Sequence, residues 1–372
     1  MTVPPAPPDS ERLRAVLVAA LRALPDDARA FSTAMERFAD GSDAEAWRQL
    51  FAYAGYHGVF GVLHAAAASC PHIPVEVRED GDRRHAVEAL WHAHISSEFE
   101  AVVRLLSNAG IAPLALKGPA LANRLYPSPA MRHCMDIDLL VEPEEFERAA
   151  AQLTAAGYES EIGVSASYLR QHGHHLTFTK PGCAPVELHF QSYAGFGVVV
   201  PARALLARAE SVPLGNAVSV KVPAPEDEFL YLAIHAVGHS FVRLVWLYDL
   251  KLLLRRYPSF AWDELHRRAS DLHVANAVDY SVRVLERWMK ARIQGARRGG
   301  GLRIQLADRL LAEASRPHGI SIRDNLGGLV FNALLCDSLP RGFSLISHHV
   351  GRALRRRLKR MAPAVLPEEW AA

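Results

Sequence analysis

Met131-Arg132-His133-Cys134-Met135-Asp136-Ile137-Asp138-Leu139-Leu140-Val141 reads as a β-strand carrying carboxylates at i and i+2. Strand side chains alternate faces, so Asp136 and Asp138 point the same way with Cα atoms roughly 7 Å apart. Ile137, Leu139 and Val141 point the other way, into apolar packing. Two acids on one face of an otherwise apolar strand repel each other and are costly to desolvate unless a cation joins them. A divalent metal holding a phosphorylated substrate would relieve that repulsion.

The bulk composition bounds the rest. A chain of 372 residues can hold two domains, or one catalytic core with helical additions. Half the residues are hydrophobic and 22% are charged, an ordinary globular balance. A net charge of +2 carries no argument for nucleic acid as a partner. Cys70, Cys134, Cys183 and Cys336 lie far apart without a CxxC pair, so reduced thiols in a cytoplasmic protein are expected, not a zinc site or a disulfide frame. The proline-rich start lacks the basic-then-apolar order of a signal peptide, and no apolar run approaches the ~20 residues that span a bilayer. No membrane partner is expected.

Outward from the acidic strand, the pattern changes character twice. Residues 1–10 read as a disordered lead-in and 11–110 as a helical region, with helices expected at 11–24, 27–39, 43–69 and 80–108. In the first of these Leu13, Val16, Leu17, Ala20, Leu21 and Leu24 share one face; in the last, Val87, Leu90, Trp91, Ile95, Phe99, Val102, Val103 and Leu106 do, with Gly110 closing it. Residues 111–224 read as the catalytic core. Strands are expected at 111–116, 135–141, 157–162, 174–180 and 184–190, with helices after Gly118, after Pro143 and near 165–171. This is α+β in class: a small mixed sheet with helices mainly on one face. Residues 225–372 read as a second helical region, with helices at 227–241, 244–256, 262–272 and 274–289, an Arg/Gly-rich loop at 291–301 and a basic segment at 352–360.

Three features then line up. Leu116-Lys117-Gly118 is a strand end turning into a helix, where backbone N–H groups suit a phosphate. The Asp136/Asp138 pair follows. Val186-Glu187-Leu188-His189-Phe190 is a later strand with an acid and a histidine on one face. Two close acids and a third on a neighbouring strand are what two-metal phosphoryl transfer requires.

The run LKGPALANRLYPSPAMRHCMDIDLLV (116–141) resembles the uncharacterised nucleotidyltransferase family within the DNA polymerase β-like superfamily, and EDEFLYLAIHAVGHSFVRLVWLYDLKLLL (226–254) is similar to that family's helical C-terminal region. The resemblance covers about 110–256. It implies the minimal nucleotidyltransferase fold, two Mg²⁺ ions and an NTP substrate with ATP as first choice. It also implies transfer of an NMP group to a hydroxyl or similar acceptor on a small molecule or modified peptide, with release of pyrophosphate. The acceptor is open; a ribosomally made peptide is one candidate, because family members commonly occur near genes for such peptides. Asp136, Asp138 and Glu187 would be the catalytic and metal-binding acids, and Lys117, Gly118 and Arg132 the nucleotide-binding residues. Two departures stand out: Pro119 follows Gly118 where the superfamily usually has serine, and Glu187 stands where aspartate is more usual. Alternative readings are a protein adenylyltransferase of toxin–antitoxin type and a catalytically degenerate peptide- or partner-binding protein.

The bland readings compete residue by residue. Arg132 either neutralises the triphosphate or pairs with an acid. His189 either shapes the acceptor pocket or is a hydrogen-bonded strand histidine. His172, His174 and His175 lack zinc-motif spacing and are expected to be structural. His235 and His239 are i, i+4 on one helical face, but Ala236 replaces the glutamate of a His-Glu-x-x-His site, so packing or pocket roles are expected. Arg243, Trp246 and Asp249 are candidates to line the cleft, with a core role favoured for Trp246. The basic 352–360 segment is expected to be a solvated face.

Overall fold

The computed structural model describes residues 10–68, 70–160, 173–214, 218–314 and 325–347. The expected lead-in before Ser10, the short helix near 165–171, His172 and the basic 352–360 segment lie outside these described residues.

Helices come first: α1 (Ser10–Ala23), α2 (Ala28–Ala39), α3 (Ala44–Tyr56), α4 (Phe60–Ala67) and α5 (Val75–Asn108). Asp27 and Asp43 cap α2 and α3 by accepting hydrogen bonds from Ala30 N at 2.8 Å and Ala46 N at 2.9 Å. The single helix expected over 43–69 is two helices. Gly58 breaks it with φ of +72°, and a Cβ there would press on Val245 at 3.1 Å.

Helix α5 begins earlier than its amphipathic pattern announces, and part of its expected apolar face is wrong. Val87 is 65% and Leu90 73% exposed, whereas Val77, Ile95, Phe99, Val102, Val103 and Leu106 are buried. The cause is architectural. Val77 belongs to a core shared with the other helices, while Ile95 to Leu106 belong to the core under the sheet. The 18 residue steps from Val77 to Ile95 extend about 27 Å; along them one side packs on α3, α4 and the 132–136 loop through Gly81, Arg84, His85 and Trp91, and the side with Val87 and Leu90 faces solvent.

The remaining elements are β1 (Leu114–Ala115), α6 (Gly118–Leu125), β2 (Ile137–Leu140), α7 (Phe146–Ala155), β3 (Glu159–Ser160), β4 (His175–Thr179), β5 (Val186–His189), β6 (Gln191–Gly195), β7 (Val198–Pro201), α8 (Arg203–Leu206), β8 (Glu210–Leu214) and β9 (Val218–Val222). Helices then return as α9 (Pro225–Gly238), α10 (Leu244–Arg256), α11 (Trp262–Asp271), α12 (Ala275–Met289), α13 (Leu302–Ala314) and α14 (Asn325–Leu334).

The main sheet has seven strands in the order β3-β4-β5-β2-β1-β9-β8, and β6 and β7 form a separate hairpin. Strand β2 runs parallel to β5 and antiparallel to β1, which makes the sheet mixed and the class α+β, as expected. The β6–β7 hairpin and the β8–β9 edge are additions that the expected strands omit.

Alternation along β2 separates two environments. Ile137, Leu139 and Val141 enter the core built on α5 and α7, while Leu140 joins Leu114 and Leu116 in the core of the C-terminal helices. Helices therefore cover both faces, not mainly one. Asp138 lies on the Leu140 face, where the C-terminal helices leave a cavity.

Candidate active site

The cavity has a volume of about 670 Å³ and is walled by the loop 132–136, strands β2, β4, β5 and β6, and helices α9 and α10. Pairing across the two central parallel strands sets Asp138 opposite Glu187 and Leu140 opposite His189. Same-face alternation then brings Asp138, Glu187 and His189 together. Ligand atoms of these three lie within 4.8 Å of one another.

Lys117 sits at the end of β1, where the chain turns into α6. Gly118 makes the turn with φ of +66°, and a Cβ there would meet the Asp136 carbonyl at 3.3 Å. That conformation and close approach explain a glycine at this position. The turn aims Lys117 Nζ at Asp138 Oδ1, 3.0 Å away, and at Asp136 Oδ2, 3.7 Å away. His189 Nε2 faces Asp138 Oδ1 at 3.5 Å and Glu187 Oε2 at 3.6 Å.

These charges shape one another. Burial alone would lower the Lys117 pKa, but Asp138 and Asp136 reverse this and hold the ammonium charged. Asp136 is pushed up, first by the Asp138 carboxylate beside it and then by burial. Glu187 is held down at about 2, chiefly by its contact with His189. Burial opposes protonation of His189, yet Asp138 and Glu187 raise its pKa. Asp138 has a fully buried side chain, and neither of its oxygens finds a hydrogen-bond donor of good geometry among the described residues. Lys117 supplies this buried carboxylate with one positive charge, and a metal ion would add further charge and fixed coordination. Hard oxygen donors from Asp136, Asp138 and Glu187 suit Mg²⁺, so these residues fit the metal that the motif implies.

The loop leading into β2 is clamped from three sides. Trp91 Nε1 on α5 donates to the Cys134 carbonyl at 2.8 Å. Gly61 on α4 lies so close that a Cβ would come within 2.7 Å of Met131 Cα. Arg132 is 5% exposed and donates from Nε and Nη2 to Asp249 on α10, at 2.9 and 2.8 Å. Tyr126 adds a hydroxyl bond to Asp249 Oδ1 at 2.6 Å. Arg132 thus pairs with an acid, but one on a distant helix and not the strand acids. Asp249 is wholly buried in this clamp, so it is not a cleft residue.

The far wall comes from α9 and α10. The Trp246 ring lies 5.2 Å from His235 and 5.3 Å from His239, centroid to centroid, and all three line the cavity. Trp246 both packs against the helical core, as expected, and lines the cavity. Arg243, at the start of α10, also lines the cavity and anchors its Nε on the Tyr56 carbonyl at 3.1 Å. Gly118 itself is buried beneath Lys117 and is not part of the cavity wall.

His174 and His175, expected to be structural, line the cavity beside His189. Register explains His175: antiparallel pairing of β4 with β5 sets it directly opposite His189. Tyr231 and Tyr193 also contribute to the wall, and the residue lists drawn from sequence lack them. Tyr231 sits four residues before His235, on the same helical face, and that spacing is the signal that could have found it.

A mixed sheet that gathers acids beneath a cavity, with a lysine at a strand-to-helix turn, is the arrangement of a nucleotidyl-transferring enzyme. The chain belongs to the uncharacterised nucleotidyltransferase family, whose model matches residues 43–290, from α3 through α12. No curated protein matches the sequence.

Proposed function

We propose that this enzyme transfers an NMP group from an NTP, with Mg²⁺, to a hydroxyl-bearing acceptor that enters the cavity. The reading rests above all on Asp138: a buried carboxylate set in register with Glu187 and facing Lys117 at 3.0 Å. Asp136, Asp138 and Glu187 would hold the metal ions. Bound Mg²⁺ would neutralise phosphate charge and lower the pKa of the acceptor hydroxyl. Lys117 reaches the triphosphate from the strand-to-helix turn, and Arg243 offers a second cation from the opposite wall. Glu187, on the strand beside Asp138, accepts the acceptor's proton as its oxygen attacks the α-phosphorus. The P–O bond to the leaving pyrophosphate breaks as the new one forms. Arg132 acts at a distance, holding the 132–136 loop through Asp249. The ring wall of Trp246, His235 and His239 gives the base a surface to stack on, which tolerates any base. The core over 111–224 carries the acids and Lys117, and the helical region after it supplies the ring wall and Arg243.

The four cysteines of the chain are free thiols, consistent with a reducing cytoplasmic setting. No described helix is long and apolar enough to cross a membrane. Intact-mass spectrometry of candidate acceptors, ribosomally made peptides included, incubated with each NTP and Mg²⁺, tests the proposal. A gain equal to one NMP less one water names both base and acceptor. Transfer of a triphosphate fragment, or hydrolysis without transfer to any acceptor, would contradict it.

A further inference from the structure

One cluster in the cavity is not used by the chemistry above. His174, His175 and His189 come from the β4–β5 pair, and a ligand nitrogen from each lies within 4.8 Å of the others. The rings pack tightly: His174 and His175 centroids are 4.5 Å apart, His175 and His189 4.8 Å, and His174 and His189 5.5 Å. Nδ1 of His175 and Nδ1 of His189 are buried without a hydrogen-bond partner among the described residues, while His189 Nε2 faces Asp138 and Glu187. His189 is 3% exposed. Buried imidazole nitrogens left unpaired in a group are costly, and a shared cation removes that cost.

The donor type decides which cation. Mg²⁺ prefers oxygen ligands, whereas imidazole suits Zn²⁺ and its neighbours in the first transition row. Three protein ligands leave a coordination position for water or substrate, and all three histidines line the cavity. We propose that His174, His175 and His189 form a nitrogen-donor site for a borderline divalent transition-metal ion of the Zn²⁺ class. This site adjoins the carboxylate site assigned to Mg²⁺. His189 stands between the two, its Nε2 facing Asp138 and Glu187. Such carboxylate contacts orient a ligating histidine and raise its basicity.

The full chain, stripped with EDTA and dialysed into saturating Mg²⁺ so that the carboxylate site is filled, is titrated with Zn²⁺ by calorimetry and with Co²⁺ by visible absorption. One ion per chain and the d–d bands of nitrogen-ligated, low-coordinate Co²⁺ are expected. His174→Asn and His175→Asn should each weaken binding by more than about tenfold, since even second-layer partners of a metal ligand cost that much. Asp136→Asn should leave it unchanged. Circular dichroism verifies folding, and if one histidine variant fails to fold the other decides. Absence of Zn²⁺ and Co²⁺ binding would overturn the proposal. Binding that is lost in Asp136→Asn and kept in both histidine variants would place the ion on the carboxylates and overturn it equally. Neither readout depends on nucleotidyl transfer, so its failure is distinct from failure of the proposed function.

Discussion

Arg132 and Asp249 form a buried bidentate pair, Nε to Oδ1 at 2.9 Å and Nη2 to Oδ2 at 2.8 Å, that ties the loop before the acidic strand to helix α10. Planar guanidinium and carboxylate meet here with both groups out of water, and Tyr126 donates to the same acid. Removing one partner leaves the other charge buried alone. Asp249→Ala should therefore cost on the order of 3–5 kcal/mol in denaturant unfolding. Asp249→Ala combined with Arg132→Met should recover much of that loss, because no charge is stranded. A double variant no more stable than the single one would show that the pair holds the loop by shape alone.

The wall of Trp246 and the two α9 histidines leads to a binding prediction. Stacking a base on an aromatic ring contributes about 1–3 kcal/mol, so Trp246→Ala should weaken NTP binding by about fivefold to 150-fold. Trp246→Phe should restore most of the affinity. Calorimetric titration with a nucleotide and Mg²⁺ measures both; unchanged affinity in the alanine variant would place the base elsewhere.

Gly118 stands at positive φ with its missing Cβ directed at the Asp136 carbonyl, 3.3 Å away. Gly118→Ala should lose about 1–3 kcal/mol of stability from the left-handed backbone alone. The turn also aims Lys117, so the same variant should bind NTP more weakly. Chemical denaturation and nucleotide titration on one sample decide; a fully stable variant with native affinity would contradict the role given to the turn.

A fourth prediction concerns acid. His57 is 6% exposed, and its pKa is pushed down to about 3 by burial and by the nearby charges of Arg14 and Arg243. The folded value lies below the unfolded value of about 6.5, so the unfolded chain binds more protons between these limits. The stabilising contribution is complete above pH 6.5 and is lost as pH falls toward 3. His57→Gln removes this term. Its stability should fall less steeply than that of the native chain between pH 6.5 and 4, measured by urea unfolding at each pH. Parallel slopes would refute the assignment.

How far the sequence leads depends on whether the controlling interaction is local. The alternation of Ile137, Leu139 and Val141 against Asp138 is a property of one strand, and it correctly places the acid on the opposite face from the α5 core. The turn into α6 is likewise legible from Lys117-Gly118-Pro119, whereas the positive φ of Gly118 is seen only in the structure. By contrast, the partner of Arg132 lies 117 residues away, on a helix whose docking no local pattern announces. Val87 and Leu90 fit an amphipathic face but lie where α5 spans two cores, which is a fact of assembly. The β8–β9 pair did have a signal: Val218-Ser219-Val220-Lys221-Val222 alternates, and Gly215-Asn216 precedes it. Linear spacing alone argues against His174 and His175 as ligands. Their meeting with His189 depends on strand register, which spacing within one segment does not report.

The central claim is that Asp138 gathers metal and nucleotide at the sheet, and metal-dependent nucleotide binding tests it most directly. The native chain and Asp138→Asn, matched by circular dichroism, are titrated calorimetrically with ATP, GTP, CTP and UTP, each with and without Mg²⁺. The native chain should bind at least one NTP only when Mg²⁺ is present, and Asp138→Asn should bind it more than about tenfold more weakly. Equal binding with and without Mg²⁺, or native affinity in Asp138→Asn, would contradict the account.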